Sequence, residues 1–452
     1  MPPYHNKKSD AAPNSTIAAI ATPAGEGAIA LVRISGPDAL IITARLFETS
    51  LPVEQMRSRH LYFGRIMDGK IVVDEGLCAV FRAPGSYTGE DLAEISCHGG
   101  ILVSSRVLQV ALDLGARLAL PGEFTQRAFL NEKMDLTQAE AVMDLIRAQT
   151  PLALRAAALQ LEGAIGRETE AARAELLNIL AHIEAFIDFP EEGIDPDTGI
   201  VLLKRIVEVR KRLEVLLATA DEGRLLRDGA RIAICGEPNA GKSSLLNRLL
   251  GFERAIVSHI PGTTRDTLEE SASLEGIPVH FIDTAGIRET NDPIELEGVR
   301  RALLAAERAA VILHVIDASQ PLPPLPPGLP KDKVHRVWNK IDLLSVPFVA
   351  PPEDTAISCL SGIGIPTLVS RILEWAGRPS DCGQFAAINA RHQSCLKRGC
   401  AALERAEQEL KVGAELAALD LRLALDALGE IVGVIDNEQI LSSIFSSFCI
   451  GK

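Results

Sequence analysis

The sequence predicts a multidomain chain: an α+β unit comes first, then a helical region, with an α/β unit carrying a parallel sheet inserted between its two halves. Three observations predict this. Residues 16 to 120 hold short, partly alternating apolar runs separated by turn signals. From about Leu136 the composition shifts to Ala, Leu, Glu and Arg, with Leu176, Ile179, Ile183 and Ile187 on one helical face, and a second stripe of Leu421, Leu425, Leu428 and Val432 appears near the C-terminus. Between them, residues 227 to 376 alternate strand-like and helix-like segments. Neither amphipathic half buries its stripe alone, so insertion is the simplest arrangement.

In the first unit, "TIAAIAT" and "AIALVRIS" read as strands, and Pro37 opens a helix "PDALIITARLF", where its missing N–H would be unpaired anyway. Asp68-Gly69 between "LYFGRIM" and "KIVV" is a two-residue hairpin signal. Ile101 to Leu114 reads as a helix stopped by Gly115. In the inserted unit the segments "RIAIC", "SSLLNRLL", "VHFID", "RRALLAAERA", "AVILHVID" and "VHRVWNK" alternate. The stretch "PLPPLPPGLP" within it is a stiff exposed loop or a proline-motif ligand. The expected division is 1–15 a flexible N-terminus, 16–131 the α+β domain, 132–226 the first helical part, 227–376 the α/β domain and 377–452 the second helical part.

Composition excludes several classes. At 452 residues and 47% hydrophobic content the chain has several cores to bury. It holds no apolar run of about 18 residues and its start has no apolar block, so a cytoplasmic protein with no membrane segment is expected. Eight cysteines are scattered without a C-x-x-C pair, and Cys78 and Cys235 sit in apolar runs, which fits reduced, buried thiols rather than bridges or zinc ligands. The net charge of −14 argues against a surface coated with nucleic-acid-binding charge but leaves room for a local basic face. "KRIVEVRKR" at 204 to 212 is one such stretch, either a phosphate contact or a solvated helix face.

The chemistry lies in four ordered motifs. "CGEPNAGKSS" follows a strand and opens a helix, the context that makes G-x-x-x-x-G-K-[ST] a phosphate-binding loop. Gly236 and Gly241 let the backbone curl, so that Asn239, Ala240, Gly241, Lys242, Ser243 and Ser244 surround phosphate, with Lys242 reaching the β- and γ-phosphates and Ser243 holding Mg²⁺. "PGTTRD" offers Thr264 as the second magnesium hydroxyl. "DTAG" offers Asp283 on the metal side, Thr284 and Ala285 beside it, and Gly286 for an N–H to the γ-phosphate. "NKID" supplies Asn339, Lys340 and Asp342, and Asp342 can accept from guanine N1–H and the 2-amino group together, donors that adenine lacks. GTP is therefore the expected nucleotide. "SCLSG" places Ser358, Cys359 and Leu360 at a fifth, weaker position that offers backbone contacts. A plain α/β sheet with glycine turns explains one such motif but not four in order. Ile287 stands directly after "DTAG", where signalling GTPases place Gln, so the attacking water needs another holder.

With "PGEFTQRAFLN", "DLTQAEAV", "IDFPEE", these motifs and the terminal "FSSFCIGK", the chain from about Thr16 to Lys452 resembles the MnmE (TrmE) family of tRNA-modifying GTPases. The resemblance implies a P-loop GTPase domain inserted in a helical domain and an N-terminal domain that binds a tetrahydrofolate and mediates homodimerisation. It implies K⁺ as the missing positive charge, held by Asn239 with Ser258, Ile260 and Thr263, of which Ser258 and Thr263 also border the nucleotide. It further implies Glu295 as the residue aligning the water through a second water, beside Lys242 and Thr264 as catalytic residues. Read without it, Asn239 is equally a turn residue and Glu295 one acid of a solvated loop.

By the same resemblance Arg33, Glu94, Lys133 and Lys452 contact the folate, 5,10-methylene- or 5-formyl-tetrahydrofolate. Cationic side chains suit the glutamate tail and a carboxylate suits a pterin's paired N–H donors. Three apolar anchors in "IFSSFCIGK" must dock, leaving Cys449 either a reactive thiol or a docked hydrophobe. The implied activity is a GTPase that, with the flavoprotein MnmG (GidA) in a heterotetrameric or larger complex, adds an aminomethyl or carboxymethylaminomethyl group to carbon 5 of the wobble uridine of tRNA, FAD residing on the partner alone. A ribosome-assembly GTPase of the Era or Der type is the rival, and a folate-dependent methyltransferase with an incidental GTPase domain is the third reading.

Overall fold

Successive side chains of a strand point to opposite faces, and Ile17–Ile20 (β1) uses both. Ala18 enters one core with Val32 and Ile34, whereas Ile17 and Ala19 enter another with Phe124. Around it Gly27–Ser35 (β2), Phe47–Glu48 (β3), Leu61–Asp68 (β4), Ile71–Phe81 (β5), Leu92–Gly99 (β6) and Arg117–Leu118 (β7) complete a seven-stranded sheet in the order β3-β4-β5-β6-β2-β1-β7. Only the β1–β7 pairing is parallel. Helices Ala39–Leu46 and Ile101–Asp113 cover one face through Ile42, Leu46, Val107 and Val110, and helix Glu123–Leu130 sets Phe124 on the other. Each large apolar side chain buried this fully contributes about 1.5–3 kcal/mol.

The computed structural model describes residues 15–188, 197–251, 269–283, 300, 303–325, 327–377, 388–410, 413–434 and 438–452. They fall into two compact units, the first holding the chain to Glu140 together with the C-terminal stretch that ends at Lys452, the second running from Ala141 to Val434. No helix among the described residues is long and apolar enough to cross a membrane.

Two expectations for the first unit shift by a residue or two. The helix after Pro37 starts at Ala39, and the β4–β5 hairpin turns at Gly69-Lys70 rather than Asp68-Gly69, with Asp68 paired to Ile71. Gly69 alone takes a positive φ, +60°, which suits the first central position of a II′ turn. The helix ending before Gly115 is as expected: Gly115 has φ +113°, and the Ala116 N–H closes back on the Ala111 carbonyl.

In the second unit Ala230–Cys235 (β8), Glu269–Leu274 (β9), Ile277–Asp283 (β10), Val311–Asp317 (β11), Val334–Asn339 (β12) and Thr355–Ala356 (β13) form a sheet in the order β13-β12-β11-β8-β10-β9. It is parallel except for β9, which pairs antiparallel with β10 across a turn at Glu275-Gly276, both with positive φ. Both faces of β11 are buried, Leu313 and Val315 on one side and Ile312 on the other, as expected for a parallel strand covered by helices. The proline-rich loop is not wholly exposed, because Leu329 is buried against that second face.

Helices Ala164–Asp188, Asp197–Ala218, Ala390–Glu409 and Ala414–Val432 form a four-helix bundle. Leu176, Ile179 and Ile183 from one expected stripe meet Leu421, Leu425 and Leu428 from the other in its core. The basic stretch at 204 to 212 serves the bundle: Arg205 pairs with Glu175 at 2.6 Å, Arg210 with Glu407 at 2.5 Å and Arg212 with Glu168 at 2.6 Å. Its arginines thus have carboxylate partners on the neighbouring helices.

Candidate functional site

The phosphate loop joins β8 to the helix Lys242–Leu250, and three residues in it take positive φ: Gly236 at +141°, Asn239 at +62° and Gly241 at +99°. Two of them are glycine for a packing reason as well. A Cβ on Gly236 would lie 2.2 Å from the Val315 carbonyl oxygen, and one on Gly241 would lie 2.1 Å from Asn339 Nδ2. The curl therefore sits tight against β11 and against the first residue of "NKID". A helix N-terminus with unpaired N–H groups opens beyond it, which suits an anion.

Lys242 Nζ folds back to donate to the carbonyls of Gly236, at 3.0 Å, and Glu237, at 2.9 Å. A polyphosphate offers that ammonium stronger, charge-assisted partners. Ser243 and Ser244 are exposed at the helix start, so the Ser243 hydroxyl can serve a magnesium ion beside bound phosphate. We expect Lys242→Ala to lower GTP turnover by about 10²- to 10³-fold, the usual loss for one preorganised transition-state donor, measured as phosphate release at saturating GTP.

Asn339 is buried and joins three loops. Its Nδ2 donates to the Ala240 carbonyl at 2.9 Å, and its Oδ1 accepts from the Cys359 N–H at 3.1 Å. Lys340 follows in the left-handed region at φ +65°, starting the turn Ile341–Leu343 on which Asp342 is exposed. Lys340 Nζ contacts Asp317 Oδ2 at 2.6 Å. Ser358 is fully buried and Leu360 is 82% exposed, and the fifth motif meets Asn339 through the Cys359 backbone. Burial pushes the Cys359 thiol up to about 11, leaving it neutral at physiological pH.

Asn239 is exposed in its left-handed turn, where its side chain is available to a cation beside the phosphates. Ser258, Ile260, Thr263, Thr264, Thr284, Ala285, Gly286, Ile287 and Glu295 lie outside the described residues, and of Asp283 only the backbone, at the end of β10, is described.

A second site forms on the first unit's sheet. The register places Arg33 of β2 beside Glu94 of β6, and Arg33 Nε and Nη2 both donate to Glu94 Oε1, at 2.9 and 2.7 Å. The guanidinium lies 5.5 Å from the Tyr87 ring centroid and 5.6 Å from that of Phe124. Arg33 Nη1 also donates to the Gly451 carbonyl at 3.3 Å, which brings the C-terminal tail to the pair. Phe445 and Phe448 anchor that tail by burial, and the Phe124 N–H donates to Lys452 O at 3.2 Å. Ile450 is half exposed and Cys449 is exposed, so of the two readings of that cysteine the docked hydrophobe is set aside. Lys133 instead donates to the Pro84 carbonyl at 3.0 Å. Sequence reasoning missed Tyr87, whose ring has no motif to mark it, and the buried ion pair of Arg127 with Glu123.

A family model described as the MnmE helical domain matches residues 136–449, and one described as the GTP-binding protein TrmE N-terminus matches residues 16–133. The chain belongs to the MnmE family. Three relatives, each named tRNA modification GTPase MnmE, align over nearly their whole length. That of Akkermansia muciniphila is 47% identical over 97% of this chain and 99% of its own. That of Chloroflexus aurantiacus is 48% identical over 97% and 100%, and that of Thermus thermophilus 46% over 96% and 99%. Among solved structures, an Era variant of Aquifex aeolicus with GDP and aluminium fluoride aligns with 38% of this chain and 66% of its own at 29% identity and a TM-score of 0.27; the GTPase fold is assigned from the sheet order and phosphate loop instead.

Proposed function

We propose that this MnmE-family chain is a GTP hydrolase acting in tRNA modification, and that its GTP cycle drives addition of an aminomethyl-type group to carbon 5 of the wobble uridine. The phosphate loop locked to Asn339 carries the first half of this reading, since it unites a phosphate cradle with a guanine-reading turn. Magnesium supplies charge at the phosphates when bound; Ser243 and Thr264 are the hydroxyls proposed to hold it. Lys242 would exchange its two carbonyl partners for phosphate oxygens, and Asp342 would accept from the guanine edge. Glu295 aligns the attacking water in place of the side chain that Ile287 lacks.

Potassium is the proposed charge supplement, with Asn239, Ser258, Ile260 and Thr263 as its oxygen donors. The exposed, left-handed Asn239 supports this reading. GTP turnover is expected to be faster in potassium than in sodium buffer by about tenfold or more, as added positive charge lowers the phosphoryl-transfer barrier; equal rates would reject the cation.

The first unit is proposed to bind a tetrahydrofolate at Arg33 and Glu94, with Lys133, Lys452 and Cys449 contributing. Support comes from the convergence of Arg33, Glu94 and the tail on one sheet face. The residues fit one end of such a ligand, since Glu94, held by Arg33, presents a carboxylate to a flat ring's N–H edge. Leu61, Phe63 and Leu77, each exposed on that face of the β4–β5 hairpin, support homodimerisation there. MnmG with its FAD is the proposed partner and the cytoplasm the proposed location. The five-part division at 15, 131, 226 and 376 is proposed as the domain plan. Deleting the gene is expected to abolish the wobble-uridine modification in cellular tRNA, read by mass spectrometry of nucleosides; unchanged modification would remove the reading.

A further inference from the structure

We infer that Asp317, which belongs to none of the nucleotide motifs, is a positioning residue that sets guanine specificity by holding Lys340, and through it Asp342. The inference rests on the GTPase reading. Asp317 ends β11, and the parallel register places it directly beside Asn339, the last residue of β12. The main chains are tied there, the Ala318 N–H donating to the Asn339 carbonyl at 2.9 Å. Both carboxylate oxygens of Asp317 are in use. Oδ1 accepts from the Ser319 N–H at 3.0 Å and the Ser319 hydroxyl at 2.6 Å, while Oδ2 receives Lys340 Nζ at 2.6 Å.

That carboxylate is thus fixed in direction by its own loop before it meets the lysine. The pair is mostly shielded, with side-chain exposures of 31% for Lys340 and 17% for Asp317. Burial would push the Asp317 carboxyl up, but hydrogen bonds from Lys340 and Ser319 outweigh it and hold it below the ordinary range, so the charge persists at physiological pH.

Lys340 needs such a hold. A non-glycine residue at φ +65° is disfavoured by contact of its Cβ with the backbone, and this conformation starts the Ile341–Leu343 turn that presents Asp342. Release Lys340, and the turn relaxes. Asp342 then loses the alignment that lets two acceptor oxygens meet two guanine donors at once. The phosphate loop has its own tether through Asn339, so phosphate binding persists.

The test compares GTP with inosine triphosphate, which keeps N1–H and lacks the 2-amino group. Affinities of the full-length protein are measured by titration calorimetry for wild type, Asp317→Asn and Asp317→Glu. GTP affinity of Asp317→Asn is expected to fall by about tenfold and inosine triphosphate affinity by about threefold, so the preference between them narrows, since one lost hydrogen bond is worth roughly that difference. Turnover at saturating GTP stays within about twofold, because the transferring phosphate is not touched. Asp317→Glu, which keeps the charge, restores part of the preference. An unchanged preference in Asp317→Asn, including an equal loss for both nucleotides with a lowered melting temperature, overturns the inference and leaves Asp317 a structural residue. A wild-type protein that binds neither nucleotide would instead overturn the GTPase reading itself.

Discussion

Gly236→Ala is expected to abolish measurable GTP binding. Two independent causes act at this residue. Its φ of +141° lies where side chains are strained, and the added Cβ would stand 2.2 Å from the Val315 carbonyl oxygen. Val315 is fully buried in the middle of β11, between β8 and β12, so it has nowhere to retreat. The loop must move instead. Because Lys242 bonds to the Gly236 carbonyl and the curl is tethered to Asn339, a shift at its first glycine displaces the whole cradle. GTP affinity should fall by at least about 100-fold, equivalent to about 2.7 kcal/mol, in a fluorescent-nucleotide titration. Gly199→Ala is the matched control: it lies in the helix Asp197–Ala218 with no atom within 4 Å of the added Cβ, and should leave binding unchanged. Wild-type affinity in Gly236→Ala would refute the packing account of the phosphate loop.

That loop was legible because its chemistry is local. Strand, glycine curl and helix follow one another within a few residues, so spacing alone fixes which N–H groups converge. The amphipathic stripes were legible for a similar reason: period and polarity place Leu176 and Leu421 in a core whichever helix each one meets. What the sequence hides is pairing across distance. Nothing in the neighbourhood of Arg33 says that its guanidinium meets a carboxylate 61 residues on and a carbonyl 418 residues on. The same limit concealed Asp317, an ordinary strand-ending aspartate until the register sets it beside Asn339. The basic stretch at 204 to 212 misleads in the opposite direction, because its three arginines look free until the bundle supplies Glu168, Glu175 and Glu407. Edge strand β9 was missed because "EESASL" is polar and short, and its strand character comes from a two-residue turn that imposes pairing on β10.

Arg127→Met should destabilise the first unit by about 3 kcal/mol and make its stability less dependent on acid, because removing one partner strands a buried charge. Arg127 is 7% exposed; it donates to both oxygens of Glu90 at 3.1 Å, to Glu123 at 3.0 Å and to the Ser15 carbonyl at 2.8 Å. Glu123 is 6% exposed and keeps Arg117 in the variant, which is why the lower end of the usual cost applies. Burial would push the Glu123 carboxyl up, but hydrogen bonds from Arg117, the Leu120 N–H and Arg127 outweigh it and hold it below the ordinary value of 4.5. A carboxyl so depressed adds stability that is fully present above pH 4.5 and lost as pH falls through the lower folded value. Wild type should therefore lose stability below that point. The variant starts lower and, with one fewer cation on Glu123, loses less, so the gap between them narrows in acid. Both tryptophans, Trp338 and Trp375, belong to the second unit, so their fluorescence reports that unit during urea unfolding and should not change. Amide exchange in β1 and β2 reports the first unit and should accelerate by about 100-fold for a loss of that size. Unchanged exchange in those strands would mean that the cluster of Glu90, Glu123 and Arg127 contributes nothing net to the fold that carries Arg33 and Glu94.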